Sequence, residues 1–252
     1  MEIKGRHALV TGGAVRVGKA IAIMLAQEGA DVSFTFLSSK AEADRASVEI
    51  EQLGVHANAV HCDVSQWNDV RRLREVVEGD LGAVDIIVNS AGLFRRTPFP
   101  SDDVGLWHAV TRASIDGTFH VCNAFVPGML KKGSGAIVNI LDLSAWHPWH
   151  GFVAHGVAKA GMLALTRQLA VELSPSIRTN AVAAGPVLPP IGLSIERQQK
   201  IATTTLLNRW GEPADVTSAV RYLVESDYIV GEVLTVDGGE RWGSSGNGGG
   251  VQ

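Results

Sequence analysis

The sequence predicts a single α/β domain built on a seven-stranded, doubly wound parallel sheet with helices on both faces. Short β-branched or apolar runs alternate with longer helix-period patterns, the signature of strand-helix-strand units in a parallel sheet. Gly, Asn or Asp punctuates nearly every strand end, where turn chemistry calls for those residues. Between residues 5 and 239 no Pro/Gly/Ser-rich stretch offers a linker to a second domain, and α/β chains of this length often wrap one sheet.

The elements follow in order. "HALVTG" reads as strand one and "VRVGKAIAIMLAQEGA" as the helix after it; "DVSFTF" and "SKAEADRASVEIEQLG" repeat the unit. "HANAVHCDV", "VDIIVNSAG", "GAIVNIL", "IRTNAVAAG" and "GEVLTVDGG" supply strands three to seven. Residues 192–207, "GLSIERQQKIATTTLL", interrupt the alternation with a polar, helix-prone insert. A long excursion after a late strand lies over the carboxyl ends of an open sheet, where ligands bind, so residues 188–210 are expected to form a substrate lid. The domain is expected to span residues 1–242, with 243–252 as a flexible, glycine-rich tail.

Composition narrows the function. Hydrophobic residues make up 46% of the chain and charged ones 19%, enough for a large core and unlike disordered chains. The net charge is −4 and no window is dense in Lys or Arg, which argues against nucleic acid and anionic membranes and for a small neutral or anionic ligand. No apolar run approaches the length of a membrane span. Cys62 and Cys122 have neither disulfide nor zinc spacing around them, so a reducing, cytoplasmic setting is expected. In "SAWHPWHGFVAH", His147, His150 and His155 follow no standard metal spacing. No metal is predicted, and Trp146 and Trp149 are read as an aromatic wall lining substrate.

Strand one runs straight into "TGGAVRVGKAIA". Glycines there permit a tight turn, and the following helix offers free N–H groups and a positive dipole end to a phosphate. Alone this is weak, but "CDV" closes strand three, "NSAG" closes strand four, "VDGG" follows the last strand, and "AHGVAKAG" carries Lys159 four residues after His155. Together these stretches resemble the short-chain dehydrogenase/reductase family from about residue 7 to residue 239. Arg16, where a third glycine is common, makes the turn most similar to the pteridine-reductase branch.

The resemblance implies a Rossmann fold and an NAD(P) cofactor. Gly12 and Gly18, with Arg16 and Val17 in the same turn, would meet the pyrophosphate; Asp63 and Val64 the adenine; Asn89, Ala91 and Gly92 the adenosine ribose; Lys159 the nicotinamide ribose; Gly185 and Val187 the nicotinamide. In "NAVAAGPV", Ala184 replaces the family's usual proline, which is expected to loosen that turn. Strand two ends "FTFLSSK" without the acid that binds both ribose hydroxyls in NAD enzymes, which favours NADP(H) over NAD(H). Ser38, Ser39 and Lys40, with Arg16 across the turn, would surround a 2′-phosphate; the competing reading makes Ser39 a helix N-cap and Lys40 a solvated charge.

The family's catalytic set is a YxxxK pair, a serine thirteen residues before the tyrosine, and an asparagine on the preceding long helix. Here the lysine, Lys159, remains, while His155 takes the tyrosine position, Asp142 the serine position and Ser114 the asparagine position. Aspartate there is usual in pteridine reductases. Imidazole titrates near about 6.5 and phenol near about 10, so His155 cannot be the same acid. Facing Asp142, with Lys159 opposing, it would be poised for acid–base work near neutrality. Phe94 falls where that branch sandwiches a flat heterocycle, whereas Gly92 and Leu93 replace serines the branch offers nearby. Two readings stay open: an NADP(H)-dependent reductase of a small carbonyl or imine substrate, and a catalytically silent dinucleotide-binding sensor or scaffold. The family's long helices imply a homo-oligomer, a dimer or tetramer.

Overall fold

Successive strand residues are apolar on both sides, so each face of the sheet has to be covered. In β1 (His7–Thr11), Ala8 and Val10 join one core while Leu9 joins the other. The same alternation runs through β4 (Ile86–Asn89), where Ile86 and Val88 oppose Ile87, and β5 (Gly135–Asp142), where Val138 opposes Ile137. The computed structural model describes residues 1–190 and 192–243. Its strands, which include β2 (Asp31–Phe36), β3 (Ala57–His61), β6 (Ile177–Ala184) and β7 (Val233–Val236), form one seven-stranded sheet in the order β3-β2-β1-β4-β5-β6-β7. Every pairing is parallel.

On one face lie α1 (Arg16–Gln27), α2 (Lys40–Glu51) and α8 (Pro213–Glu225), which bury Ile21, Leu25, Ile50 and Val220 against the sheet. On the other lie α3 (Trp67–Leu81) and α5 (Gly117–Lys132), which bury Leu73, Val77, Phe125 and Met129. The long helix α6 (Val153–Leu173) covers β5 and β6 through Met162 and Leu163. Ahead of α5, α4 (Val104–Thr111) passes through a π-helical turn at Arg112–Asp116. Among the described residues, no helix is long and apolar enough to cross a membrane.

The insert after β6 holds α7 (Ile195–Ala202), whose Ser194 side chain caps it and which buries no residue. The Trp210 indole N–H donates to the Gln198 carbonyl at 2.8 Å and folds the insert back on itself. At the C-terminal side, the expected tail begins one residue too early. Gly243 closes a short helix, α9 (Glu240–Gly243), with its N–H on the Gly239 carbonyl; residues 244–252 lie outside the described residues.

Candidate active site

Strand order reverses between the paired strands β1 and β4, because the chain leaves β1 towards β2 and β4 towards β5, and a crevice at such a point is where open α/β sheets take ligands. Two buried hydroxyls shape its rim. Thr11 Oγ1 accepts from the N–H groups of Ser90 and Ala91, and Thr35 Oγ1 from that of Gly12, all at 3.0 Å. Above them opens a cavity of about 400 Å³, bounded by Gly12 and Val15 after β1, Ser38 and Ser39 after β2, Asp63 and Val64 after β3, and Ala91 and Gly92 after β4.

The turn between β1 and α1 leaves no room for side chains. Gly12 has φ +65°, and a Cβ on Gly18 would stand 2.2 Å from the Gly12 carbonyl oxygen. Val15, at the N-cap of α1, supplies no side-chain cap, so the first N–H groups of that helix and its positive dipole end are left for a ligand. A glycine cradle beside an uncapped helix N-terminus fits a pyrophosphate.

The expected 2′-phosphate cluster does not assemble as a group. Ser38 and Ser39 line the cavity, and Ser39 occupies the N-cap of α2 without making a capping bond. Lys40 instead pairs with Asp44 at 2.8 Å on the exposed face of α2, the natural i,i+4 partner. Arg16 takes φ +54°, a left-handed conformation that costs a non-glycine residue about 1 kcal/mol. A glycine would adopt that conformation without the cost. Its guanidinium donates to the carbonyls of Leu188 at 2.9 Å and Pro189 at 3.3 Å, tying the root of the insert to the glycine turn.

Three further placements sharpen the expectations. Val17 packs into the core beneath the turn. Asn89 is buried, and its amide donates to Asn139 Oδ1 at 2.9 Å, bracing the end of β4 from within the sheet. The turn after β6 is tight despite lacking the proline. Ala184 pairs in register with Val236, the Gly185 N–H donates to the Val236 carbonyl at 2.9 Å, and a Cβ on Gly185 would lie 2.7 Å from Asp237 Cα. Ladder bonding and close packing supply the constraint that ring closure would have given. Val187 follows, nearly buried.

One helical turn apart on α6, His155 and Lys159 both reach the end of β5. Lys159 Nζ donates to the Ile140 carbonyl at 2.8 Å, and His155 Nε2 lies 2.7 Å from Asp142 Oδ2. The other carboxylate oxygen accepts from the Ser144 N–H at 3.0 Å and from the Ser144 hydroxyl. Burial pushes the Asp142 carboxyl up, but the His155 bond, the charges of Lys159 and His155 and the Ser144 hydroxyl outweigh it and hold it below the usual carboxylate range. Burial lowers Lys159, with Asp142 opposing. An ionised Asp142 requires the hydrogen on Nε2, which leaves Nδ1 as the ring nitrogen open to a further partner. His155 Nδ1 and Ser114 Oγ are both buried without a hydrogen-bond partner among the described residues. Ser114 sits in the π-helical turn, a distortion frequent at functional sites.

Aromatic rings surround the histidine. Trp149 stacks on it at 5.9 Å between centroids, and Phe94 meets it edge-on at 4.9 Å. Phe152 lies parallel to Phe94 at 4.9 Å, while Trp146 stands 40% exposed further along the loop. Sequence reasoning missed Phe152 and Ser144. Phe152 precedes His155 by three positions, one turn of helix, and Ser144 follows Asp142 by two, the spacing of an Asx turn. Among the described residues, no three His, Cys, Asp or Glu side chains are grouped to hold a metal ion.

Fold and site together define a Rossmann-type α/β protein with a nucleotide-sized crevice and an acid–base cluster at the carboxyl edge of its sheet. Residues 13–240 match the family profile described as enoyl-(acyl carrier protein) reductase. The 3-oxoacyl-[acyl-carrier-protein] reductase FabG of Staphylococcus epidermidis is 31% identical over 239 residues, covering 93% of this chain and 98% of the relative. A blue fluorescent protein from a metagenomic library, solved in complex with NADPH, superimposes with a TM-score of 0.89 at 31% identity, covering 95% of this chain and 99% of the other. A 7α-hydroxysteroid dehydrogenase, solved with NADH and 7-oxo-glycochenodeoxycholic acid, does so with a TM-score of 0.89 at 30% identity, covering 94% and 95%. The chain belongs to the short-chain dehydrogenase/reductase family of oxidoreductases.

Proposed function

We propose that this protein is an NADP(H)-dependent reductase of a small carbonyl or imine compound in which the Asp142–His155 pair does the proton work of the family's tyrosine. The observation that carries this reading is the 2.7 Å contact between His155 Nε2 and Asp142 Oδ2 beside Lys159. The glycine turn, Ser38, Ser39, Asp63, Val64, Ala91 and Gly92 would hold the dinucleotide, with Lys159 on the nicotinamide ribose and Gly185 and Val187 beside the nicotinamide. When bound, the cofactor supplies hydride to the substrate carbon.

The chain's own residues handle the proton. Asp142 holds and orients His155 through Nε2; a substrate oxygen or nitrogen that reaches the other ring nitrogen would receive the Nδ1 proton of the imidazolium as negative charge develops on it. Lys159 adds positive charge on the same side. Ser114 replaces the amide of the family's asparagine with an unpartnered hydroxyl. The lack of an acid after β2 and the hydroxyls of Ser38 and Ser39 favour NADP(H), the choice also of the NADPH-bound neighbour, though the hydroxysteroid dehydrogenase was solved with NADH. Phe94, Phe152, Trp146 and Trp149 suit a planar substrate of the kind pteridine reductases take, while Gly92 and Leu93 argue against a pterin itself. Exposed apolar residues on α5 and α6, among them Phe119, Val157 and Val171, suit assembly into a cytoplasmic dimer or tetramer.

A second reading has its own observation. His155 is only 4% exposed, covered by Trp149, as expected of a polar filler in a silent sensor or scaffold. Titration of NADPH and NADH by fluorescence, then oxidation followed at about 340 nm with ketones, diketones, quinones and dihydropterins, tests the first reading. Binding of neither nucleotide defeats both. His155→Tyr separates them: lost activity supports a working histidine, and activity gained from an inert wild type supports decay.

A further inference from the structure

We propose that Glu240 sets the specificity of the cleft and selects carbonyl or imine substrates that carry an ammonium or amidinium group. The inference rests on the reductase reading above and adds the class of substrate.

Sheet register puts the end of β7, four residues before Glu240, on the edge that carries Asp142. Asp142, Ala184 and Val236 are successive partners across β5, β6 and β7, so the end of β7 stands two strand spacings, about 10 Å, from the aspartate on the same edge. The chain then turns through Gly238 and Gly239, both with positive φ, and Glu240 opens α9. The insert closes over it. Thr204 Oγ1 donates to Glu240 Oε1 at 3.2 Å, and a Cβ on Gly239 would lie 2.8 Å from Leu206 Cδ1. Glu240 is thereby half-buried between the insert and the sheet edge.

Among the described residues, no Lys or Arg forms an ion pair with Glu240 within 4.0 Å. Arg241, next in sequence, turns away to Thr235 Oγ1 at 2.7 Å and lies over the Trp242 ring. The groups that face the Glu240 carboxyl are Thr204, Asp237, Asp142 and His147. Burial is the largest influence and raises its pKa; Asp237 and Asp142 add to this, while the Thr204 hydroxyl and His147 oppose it. A carboxylate so placed is costly until a cation reaches it. A cation on the substrate would supply the partner that this carboxylate lacks.

The test uses three ketones of one shape and different charge: 3-(aminomethyl)acetophenone, 3-methylacetophenone and 3-acetylbenzoate. Binding is read by tryptophan fluorescence with and without NADPH, and turnover separately, in wild type, Glu240→Gln, Glu240→Lys and Thr204→Val. Wild type is expected to bind the ammonium ketone about tenfold more tightly than the neutral one, about 1.4 kcal/mol. Glu240→Gln should abolish the preference, Glu240→Lys should turn it towards the benzoate, and Thr204→Val, which keeps the charge, should retain it. An equal preference in wild type and Glu240→Gln, its loss in Thr204→Val, or no binding of the ammonium ketone overturns the proposal. Should the Glu240 variants not fold, wild type alone decides: the preference shrinks severalfold between about 0.05 and 0.5 M salt if charge carries it, and stays constant otherwise. Absent NADPH binding and turnover would defeat the reductase reading, while the ligand preference would still stand or fall on its own measurement.

Discussion

Replacing Asp142 by asparagine keeps the shape of the side chain and removes its charge. The carboxylate accepts from the Ser144 N–H at 3.0 Å and from the Ser144 hydroxyl, and pairs with His155 Nε2 at 2.7 Å. An asparagine can keep Ser144 on its oxygen, but its amide then faces Nε2. His155 can accept from it only by moving its hydrogen to Nδ1, which is buried without a partner. Lys159 loses the anion that supports its charge. Hydrogen bonds to a buried charge contribute about 1.5–3 kcal/mol each and part of that set survives, so the expected loss is about 2–4 kcal/mol at neutral pH. At about 2–4 °C per kcal/mol in a protein of this size, Tm should fall by roughly 4–16 °C.

The pH dependence has a definite sign. The folded-state pKa of Asp142 lies below its unfolded value, so its contribution is complete above about pH 3.9 and is lost as pH falls through the folded value. Thermal melts of both proteins at about pH 7, 5 and 3 should therefore show an equal gap at the first two and a narrower one in acid. A variant that melts within about 1 °C of wild type at pH 7, or a gap that widens in acid, refutes the argument.

Gly18→Ala should cost about 1–2 kcal/mol, since overpacking against the Gly12 carbonyl exceeds the gain in helix propensity, and should weaken NADPH binding; unchanged melting and affinity would contradict the close approach. Burial pushes the thiols of Cys62 and Cys122 up to about 12, so iodoacetamide at about pH 8 should label neither in native protein and both in urea, as mass spectrometry would report. Arg16→Gly relieves a left-handed φ but releases Leu188 and Pro189; stability should change by less than about 1 kcal/mol while chymotrypsin cuts residues 188–210 faster. Trp149→Ala should uncover His155 and speed its modification by diethyl pyrocarbonate, and an unchanged rate would show that the stacked ring is no barrier.

All seven strands were legible because a sheet buried on both faces demands continuous apolar runs, and glycine or asparagine at their ends marks the turns. The crevice was legible for the same reason: Gly12 and Gly18 are required by backbone contacts that no other residue fits. Charged surface residues were read less well. Lys40 had a partner in Asp44 one turn along its own helix, and Arg16 was drawn to carbonyls more than 170 residues away. Long flexible side chains choose among many acceptors, and which are in reach depends on how loops fold together.

By itself, then, the sequence determined the strand-helix alternation and the glycine turn, because each is written in local period and spacing, whereas the meeting of residues 142, 155 and 159 was implied only by the family resemblance. The tertiary structure alone decided that Asp142 bonds the far nitrogen of His155, that Trp149 and Phe94 pack against that ring, and that Glu240 follows β7 at the same sheet edge as Asp142 with no Lys or Arg partner among the described residues. Those contacts join segments separated by loops or by whole strands, and their geometry is set by parallel register and close packing, which no local pattern encodes.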